Sequence, residues 1–463
     1  MNLVQFSSTI LLACVLAGCA LTVPPPQVDA AAVPQWLAPL PHQGSQQNLL
    51  QWWRMQNDPL LVDLIESGQR VSPTVAAAAS RIAQARATDV GTGAALLPKV
   101  DASAGASRSS AQLGMPSGTT MQAGLQTAWE IDLFGANRLA RERTEALLNG
   151  ARAGWHGARV AVAADIANQY YALRVCQQLL DISVADSASR AETARLSDLT
   201  AGAGFTAPAT AALARASAAD SSSRMLQQRV ACEIDIKTLV VLSDIAEPSL
   251  RQRLIRAGTS TLMPASAPIA IASVPAQVLR QRPDIFVAER DVAAASAAVG
   301  SAEAQRYPRL SLSGSVGTGR FRGAGLTTTA STWTIGPLAL TLPIFDGGTG
   351  AANVDAARAS YDEAVIVYRA KVRQAVGEVE QALIDLDSTQ ARSDAAQQAV
   401  LGYRASFNGT QSRYQSGLAN LVELEDARRL QLAAEISLVT LQQQRSAAWV
   451  ALYRAVGGGW QPE

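Results

Sequence analysis

Side chains that ligate metals, attack carbonyls or shuttle protons are scarce in this chain in the groupings catalysis requires. Its two histidines are His42, in a Pro-rich stretch, and His156, in a helical pattern, too few and too scattered for a metal site or a His-based triad. Gly317, Gly319 and Gly323 spell GxGxxxG, but the run falls at a hairpin tip rather than before a helix. It therefore reads as loop flexibility and not as a phosphate cradle. Carboxylates are plentiful on helical stretches, where they read as solvated faces. No catalytic residue, metal site or cofactor is expected, and an enzyme is the most distant alternative. With 39 basic against 38 acidic side chains the net charge is +1, which argues against a nucleic-acid partner. The remaining reactive groups are the thiols of Cys14, Cys19, Cys176 and Cys232.

The first of these, Cys14, belongs to a leader. Thr9 to Ala17 is an apolar stretch of signal-peptide length, too short to cross a bilayer as a helix. It ends in Leu16, Ala17, Gly18 and Cys19, which resembles the lipobox of bacterial lipoproteins. Residues 1–18 then read as a signal peptide and Cys19 as the lipid anchor; Ala20, rather than Asp, implies sorting to the outer membrane. The competing reading is ordinary cleavage with an incidental cysteine. No later run reaches 18 uninterrupted apolar residues, so any crossing of the membrane must be by β-barrel. In an oxidising periplasm Cys176 and Cys232 leave one possible pairing.

The elements follow from punctuation and period. Residues 19–56, rich in Pro, Gln and Ala, read as a tether or a strap. Asp58-Pro59 and Ser72-Pro73 each place a capping residue before a proline at the first helical position. From Lys99 to Ile131 the pattern alternates: Met121, Ala123, Leu125, Thr127, Trp129 and Ile131 share one parity, as in a strand. This predicts a β-hairpin, ended at Gly135 and followed by a helix to about Ser197. Sixty helical residues span about 90 Å, which predicts an elongated molecule. The order then repeats: a helix from Pro283, a second hairpin after Pro308 with a Gly-rich tip through Gly325, and a helix from about Gly348 to Gln415. A turn near Gly417 leads to a return helix ending at Gly457. Pro98 and Pro308 are 210 residues apart, and Phe134 and Phe345 are 211 apart, the constant register of an internal duplication. The domains are thus 57–282 and 283–463, after the leader and the 19–56 segment.

The long helices carry coiled-coil spacing. Val354, Tyr361, Val365, Tyr368, Val372, Val379, Leu383 and Leu386 step by three, four or seven, and Val162, Ile166, Leu173, Cys176 and Leu180 do the same. A soluble bundle fits these stripes equally well; the hairpins separate the readings. Two hairpins give four strands, and about eight is the observed minimum for a membrane barrel, so neighbouring copies must supply the rest. Two or three chains meet the requirement. If the first long helix turns near Ala203, Cys176 lies 27 residues before the turn and Cys232 29 after it, level on antiparallel helices. A disulfide there and two reduced core thiols are the alternatives.

Seven blocks, NDPLLVDLI (57–65), RIAQARA (81–87), WEIDLFG (129–135), LRQRPDIFVAER (279–290), RYPRLSLSG (306–314), LPIFDGG (342–348) and LYRAVGGGW (452–460), resemble the TolC-like outer-membrane efflux proteins, in their NodT-like lipoprotein branch. The resemblance implies a mainly α fold with a transmembrane β-barrel portion. Each chain of a homotrimer would give four strands to a shared twelve-stranded barrel, and the long coiled-coil helices would form an α-barrel through the periplasm. It also implies a passive exit duct for small molecules, anchored in outer-membrane lipid, with a periplasmic adaptor (membrane fusion) protein and an inner-membrane RND-type pump as partners. The rival from another class is a periplasmic adaptor lipoprotein, which needs only one helical hairpin where this chain has two matched units.

Within that resemblance the run RYQSGLANLVELEDARR matches the family's periplasmic tip. Aligned on Gly417, Glu423 and Asp426 match its constricting acidic residues, and Tyr414 a tyrosine that ties helices together in the closed state. Ala419 stands where the family's basic partner does, and Pro208 and Ala209 where members often carry an Asp. Three chains would set about six carboxylates around a narrow axis, a ring that attracts cations.

Overall fold

The computed structural model describes residues 21, 23–30, 36–37, 52–110, 117–258, 279, 281–323 and 325–460. The leader, Cys14, Cys19 and His42 lie outside them, as does most of the 19–56 segment. In chain order the helices are α1 (Trp52–Met55), α2 (Pro59–Val71) and α3 (Pro73–Ala94), then strands β1 (Lys99–Ser109) and β2 (Gly118–Ile131). There follow α4 (Ala136–Gly202), α5 (Pro208–Ser243), α6 (Glu247–Ala257) and α7 (Pro283–Ala304), strands β3 (Arg309–Gly323) and β4 (Leu326–Thr341), and helices α8 (Thr349–Gln415) and α9 (Leu421–Ala455). Among the described residues no helix is long and apolar enough to cross a membrane.

The chain divides into two compact units. One combines the described part of Met1–Ala30 with Ser80–Ala153 and Phe286–Lys371. Its centre is one antiparallel sheet in the order β1-β2-β3-β4, so β2 and β3 join the two hairpins and β1 and β4 are edges. Cross-strand rows such as Ala102↔Leu125↔Val316↔Trp333 and Ile131↔Leu310↔Leu340 gather the apolar side chains on one face. Rows such as Ser103↔Gly124↔Gly317↔Thr332 and Glu130↔Ser311↔Ala339 gather the polar and small ones on the other. Alternation along the four strands, with one register shift in the β3–β4 ladder between Leu312 and Gly314, makes a two-sided wall. In the same unit residues 23–30 lie against two helices: Ser296 Oγ of α7 donates to the Pro24 carbonyl at 2.5 Å and Tyr361 OH of α8 to that of Pro25 at 2.9 Å.

The glycines of GxGxxxG require a correction. Gly317 and Gly319 lie within strand β3 and not at a hairpin tip, whereas Gly323 ends the strand beside the turn; Gly317 pairs with Gly124 of β2. A Cβ on Gly317 would stand 2.9 Å from the Ala123 carbonyl oxygen, and one on Gly124 2.7 Å from that of Val316. Glycine serves close approach of two backbones here, not a loop.

The other unit combines the described part of Ala31–Ala79 with Gly154–Ile285 and Val372–Glu463. Its core collects Trp52 of α1, Leu61 and Leu64 of α2, Ile166, Tyr170 and Leu173 of α4, Leu239 of α5 and Leu383 of α8, all fully buried. Each buried Leu or Ile contributes about 1.5–3 kcal/mol. The predicted seams supply them: Ile166, Leu173 and Cys176 from one, Val372, Val379, Leu383 and Leu386 from the other. Asp58 serves twice. Its Oδ1 caps α2 by accepting from Leu60 N (3.1 Å) and Leu61 N (3.2 Å), and its Oδ2 accepts from Tyr170 OH at 2.5 Å. Burial, reinforced by that carboxylate, pushes the Tyr170 phenol well above its ordinary pKa. Helix α6 was not anticipated. It is short and charged, and Ala246 at its N-cap offers no side-chain hydrogen bond.

Candidate functional site

The turn between α8 and α9, in the second unit, is built by local chemistry. Gly417 takes a positive φ of 74°, which lets Leu418 N donate back to the Arg413 carbonyl at 2.8 Å and closes α8. Asn420 then caps α9: its Oδ1 accepts from Glu423 N at 2.9 Å while its Nδ2 donates to Glu423 Oε1 at 2.8 Å. Glu423 is therefore held in place by the cap. Arg413 Nη2 lies 3.6 Å from Glu423 Oε2, and Arg429 Nη2 lies 3.4 Å from Asp426 Oδ1. Both carboxylates are solvent-exposed, each beside a cation of its own hairpin. Tyr414, at the end of α8, has its hydroxyl 3.2 Å from Ser197 Oγ of α4, a direct tie between the two helical hairpins.

One turn from Glu423 lies a cluster that sequence reasoning missed. Arg428 of α9 is 2% exposed, and one Nη pairs with Glu425. Its other Nη donates to Ser189 Oγ and Thr193 Oγ1 of α4, both at 3.1 Å. Arg190 of α4 pairs with the same Glu425 and, through Nε, with Asp186 at 2.9 Å. Ser217 of α5 closes the network, accepting from Arg190 at 2.6 Å and donating to Glu425 at 3.0 Å. Two guanidinium groups thus share one carboxylate between three helices. Burial, with Arg190 alongside, pulls the Arg428 pKa below its ordinary value despite Glu425. The signal was available: Arg428 stands four residues after Leu424 and seven after Leu421, on a stripe whose apolar members are fully buried. A charge in register with a buried stripe needs a buried partner.

Cys176 of α4 and Cys232 of α5 form a disulfide, with sulfurs 2.09 Å and Cα atoms 5.5 Å apart. His156 packs edge-on to Trp155, ring centroids 4.8 Å apart, and lies 6.2 Å from the Trp460 ring, a structural environment.

The outer membrane efflux protein model matches residues 64–242 and 274–458, both helix–hairpin–helix stretches. The chain belongs to this family. Among the relatives of this outer membrane efflux protein, nodulation protein T of Rhizobium leguminosarum bv. trifolii is 29% identical over 426 residues, covering 89% of this chain and 88% of its own. The pyoverdine export outer membrane protein OpmQ of Pseudomonas aeruginosa is 30% identical over 470 residues, covering 97% of this chain and 96% of its own. The CmeC outer membrane channel of Campylobacter jejuni has the same fold, with a TM-score of 0.85 at 23% identity, covering 96% of each chain. For the efflux protein the structure thus brings Tyr414 and Glu423 to one turn with Asp426 a single helical turn further on. It puts the ionic cluster immediately behind them.

Proposed function

We propose that this chain is the outer-membrane channel of a tripartite efflux system, a passive duct through which small molecules leave the cell. Three copies close their sheets into one barrel, and the paired helices continue it as a periplasmic tunnel. A periplasmic adaptor and an inner-membrane RND-type pump supply docking and energy. Residues 1–18 are removed, Cys19 carries the lipid, 19–56 form the tether and strap, and 57–282 and 283–463 are the two repeats. The observation that carries this reading is the four-stranded sheet with open edges at β1 and β4, apolar on one face and polar on the other. Hydrocarbon does not tolerate a bare strand edge, and polar and apolar faces together make a pore wall. The purified protein is expected to run as a cross-linkable trimer and to conduct in a planar bilayer. A water-soluble monomer that never inserts would refute it.

The tip is the proposed constriction, with Glu423 and Asp426 as its charges and the Tyr414–Ser197 contact as a tie. Replacing Glu423 and Asp426 together by Ala is expected to raise single-channel conductance and lower cation preference, because the change removes negative charge where the pore is narrowest. Unchanged conductance and selectivity would withdraw the gate assignment.

The Cys176–Cys232 bond is proposed to persist in the mature protein as a staple between α4 and α5. Intact mass measured without reductant is expected to show neither thiol open to alkylation; two alkylatable thiols would contradict it.

A further inference from the structure

The apolar face of the sheet ends in arginines. Counting rows from the end where the helices attach, it runs through Ile131/Leu310/Leu340, Trp129/Leu312/Leu338, Val100/Thr127/Gly314/Ile335, Ala102/Leu125/Val316/Trp333 and Ala104/Ala123/Thr318/Ser331. The next two rows are Ala106/Met121/Arg320/Thr329 and Arg108/Thr119/Arg322/Thr327, beside the hairpin turns. Residues directly opposite share a face, as do residues two apart, so Arg108, Arg320 and Arg322 project on the side that carries Leu125, Val316 and Trp333.

These arginines are exposed, and none makes an ion pair or side-chain hydrogen bond among the described residues. Nothing in the sheet is placed to neutralise them. Its carboxylates, Asp101 and Glu130, are on the opposite face, and the connecting segments 110–117 and 324–325 contain no Asp or Glu. A neighbouring copy would bring the same acid-free face.

Distance fits charge to place. Ten residues separate the Ile131 row from the Met121 row, which at about 3.4 Å per residue is about 34 Å along the strand. With the tilt of about 40° usual for membrane barrels this becomes about 26 Å of height, against an apolar band of about 25 Å. Arg320 therefore falls at the far edge of the band, and Arg108 and Arg322 just past it, at headgroup depth. Guanidinium groups bind phosphate oxygens bidentately.

We propose that Arg108, Arg320 and Arg322 form a site on the outer wall for phosphate-bearing headgroups of the lipid leaflet at the hairpin-turn end. The proposal rests on the membrane-barrel reading above. Each copy carries one such site, and the bound lipids brace the end of the barrel farthest from the helices.

The test uses the whole protein, purified in neutral detergent and incubated with equal amounts of a bis-phosphorylated glucosamine glycolipid and its dephosphorylated counterpart, with retained lipid counted by native mass spectrometry. The wild type is expected to retain the phosphorylated form about tenfold over the other. Arg108→Gln/Arg320→Gln/Arg322→Gln should lose that preference, while Arg309→Gln, on the opposite face, should keep it. Equal retention of the two lipids by the wild type, or wild-type preference in the triple variant, would overturn the site. Displacement of the glycolipid by millimolar inorganic phosphate would overturn the lipid assignment in favour of a free-anion site. Bilayer conductance of the same samples separates the two readings: a wild type that conducts but shows no preference loses only the lipid site, whereas one that neither inserts nor conducts loses both. If the triple variant fails to insert, the three single variants, each expected to lose part of the preference, decide instead.

Discussion

Glu425→Gln should destabilise the helical tip by about 3 kcal/mol and raise the conductance of the channel, because it strips a buried guanidinium of the carboxylate it pairs with. Arg428 is 2% exposed and among the described residues pairs only with Glu425, whereas Arg190 keeps Asp186. The amide can still accept a hydrogen bond but carries no charge, and among the described residues the Arg428 Nε already lacks a partner. The cheapest relief is for α9 to move away from α4 and let water reach Arg428, and that motion carries the Glu423 turn with it. Thermal unfolding should report the loss of stability and single-channel recording the opening. Adding Arg428→Met to Glu425→Gln should restore most of the stability, since an uncharged side chain of similar length fills the space over Phe407 without needing a counter-ion. Wild-type stability and conductance in the single variant would mean the cluster bears no load at the tip.

The second large effect belongs to the sheet. Gly124→Val should abolish most of the membrane-inserted protein, with yield falling by about tenfold or more, since overpacking against backbone costs about 1–3 kcal/mol or more. The new Cβ would meet the Val316 carbonyl oxygen at 2.7 Å and the Gly317 Cα at 3.0 Å, and neither is the end of a flexible side chain. The site is the β2–β3 ladder, the pairing that joins the first hairpin to the second among the described residues. Gly105→Ala is the control, because its nearest neighbour would be Gln122 Nε2 at 4.0 Å, and it should insert as the wild type does. Membrane fractionation measures both. Normal insertion of Gly124→Val would show that the two hairpins can separate without losing the barrel.

Much of the fold was legible because it depends on local rules. A proline after Asp58 or Ser72 starts a helix wherever it lies, a positive-φ glycine such as Gly417 ends one, and strict alternation from Met121 to Ile131 names the two faces of a strand before its neighbours are known. The seven-residue stripes likewise marked Leu173 and Leu383 as core. Cys176 and Cys232 could be set level by counting from one turn, since antiparallel helices rise at the same rate per residue. Gly317 misled because glycine answers two different needs, a positive φ in a turn and the absence of a Cβ where backbones meet, and composition does not tell them apart. Helix α6 escaped for lack of a cap.

What the sequence by itself determined was periodicity: which residues share a face of a helix or strand, and that four strands are too few to stand alone. Only the tertiary structure decided which charges meet. Arg190, Ser217 and Arg428 come from three helices and as many distant stretches of chain, and a buried ion pair exists only where folding removes water from both partners at once. The three arginines at the end of the sheet likewise became one patch only when the β1–β2 and β2–β3 registers put them on one face.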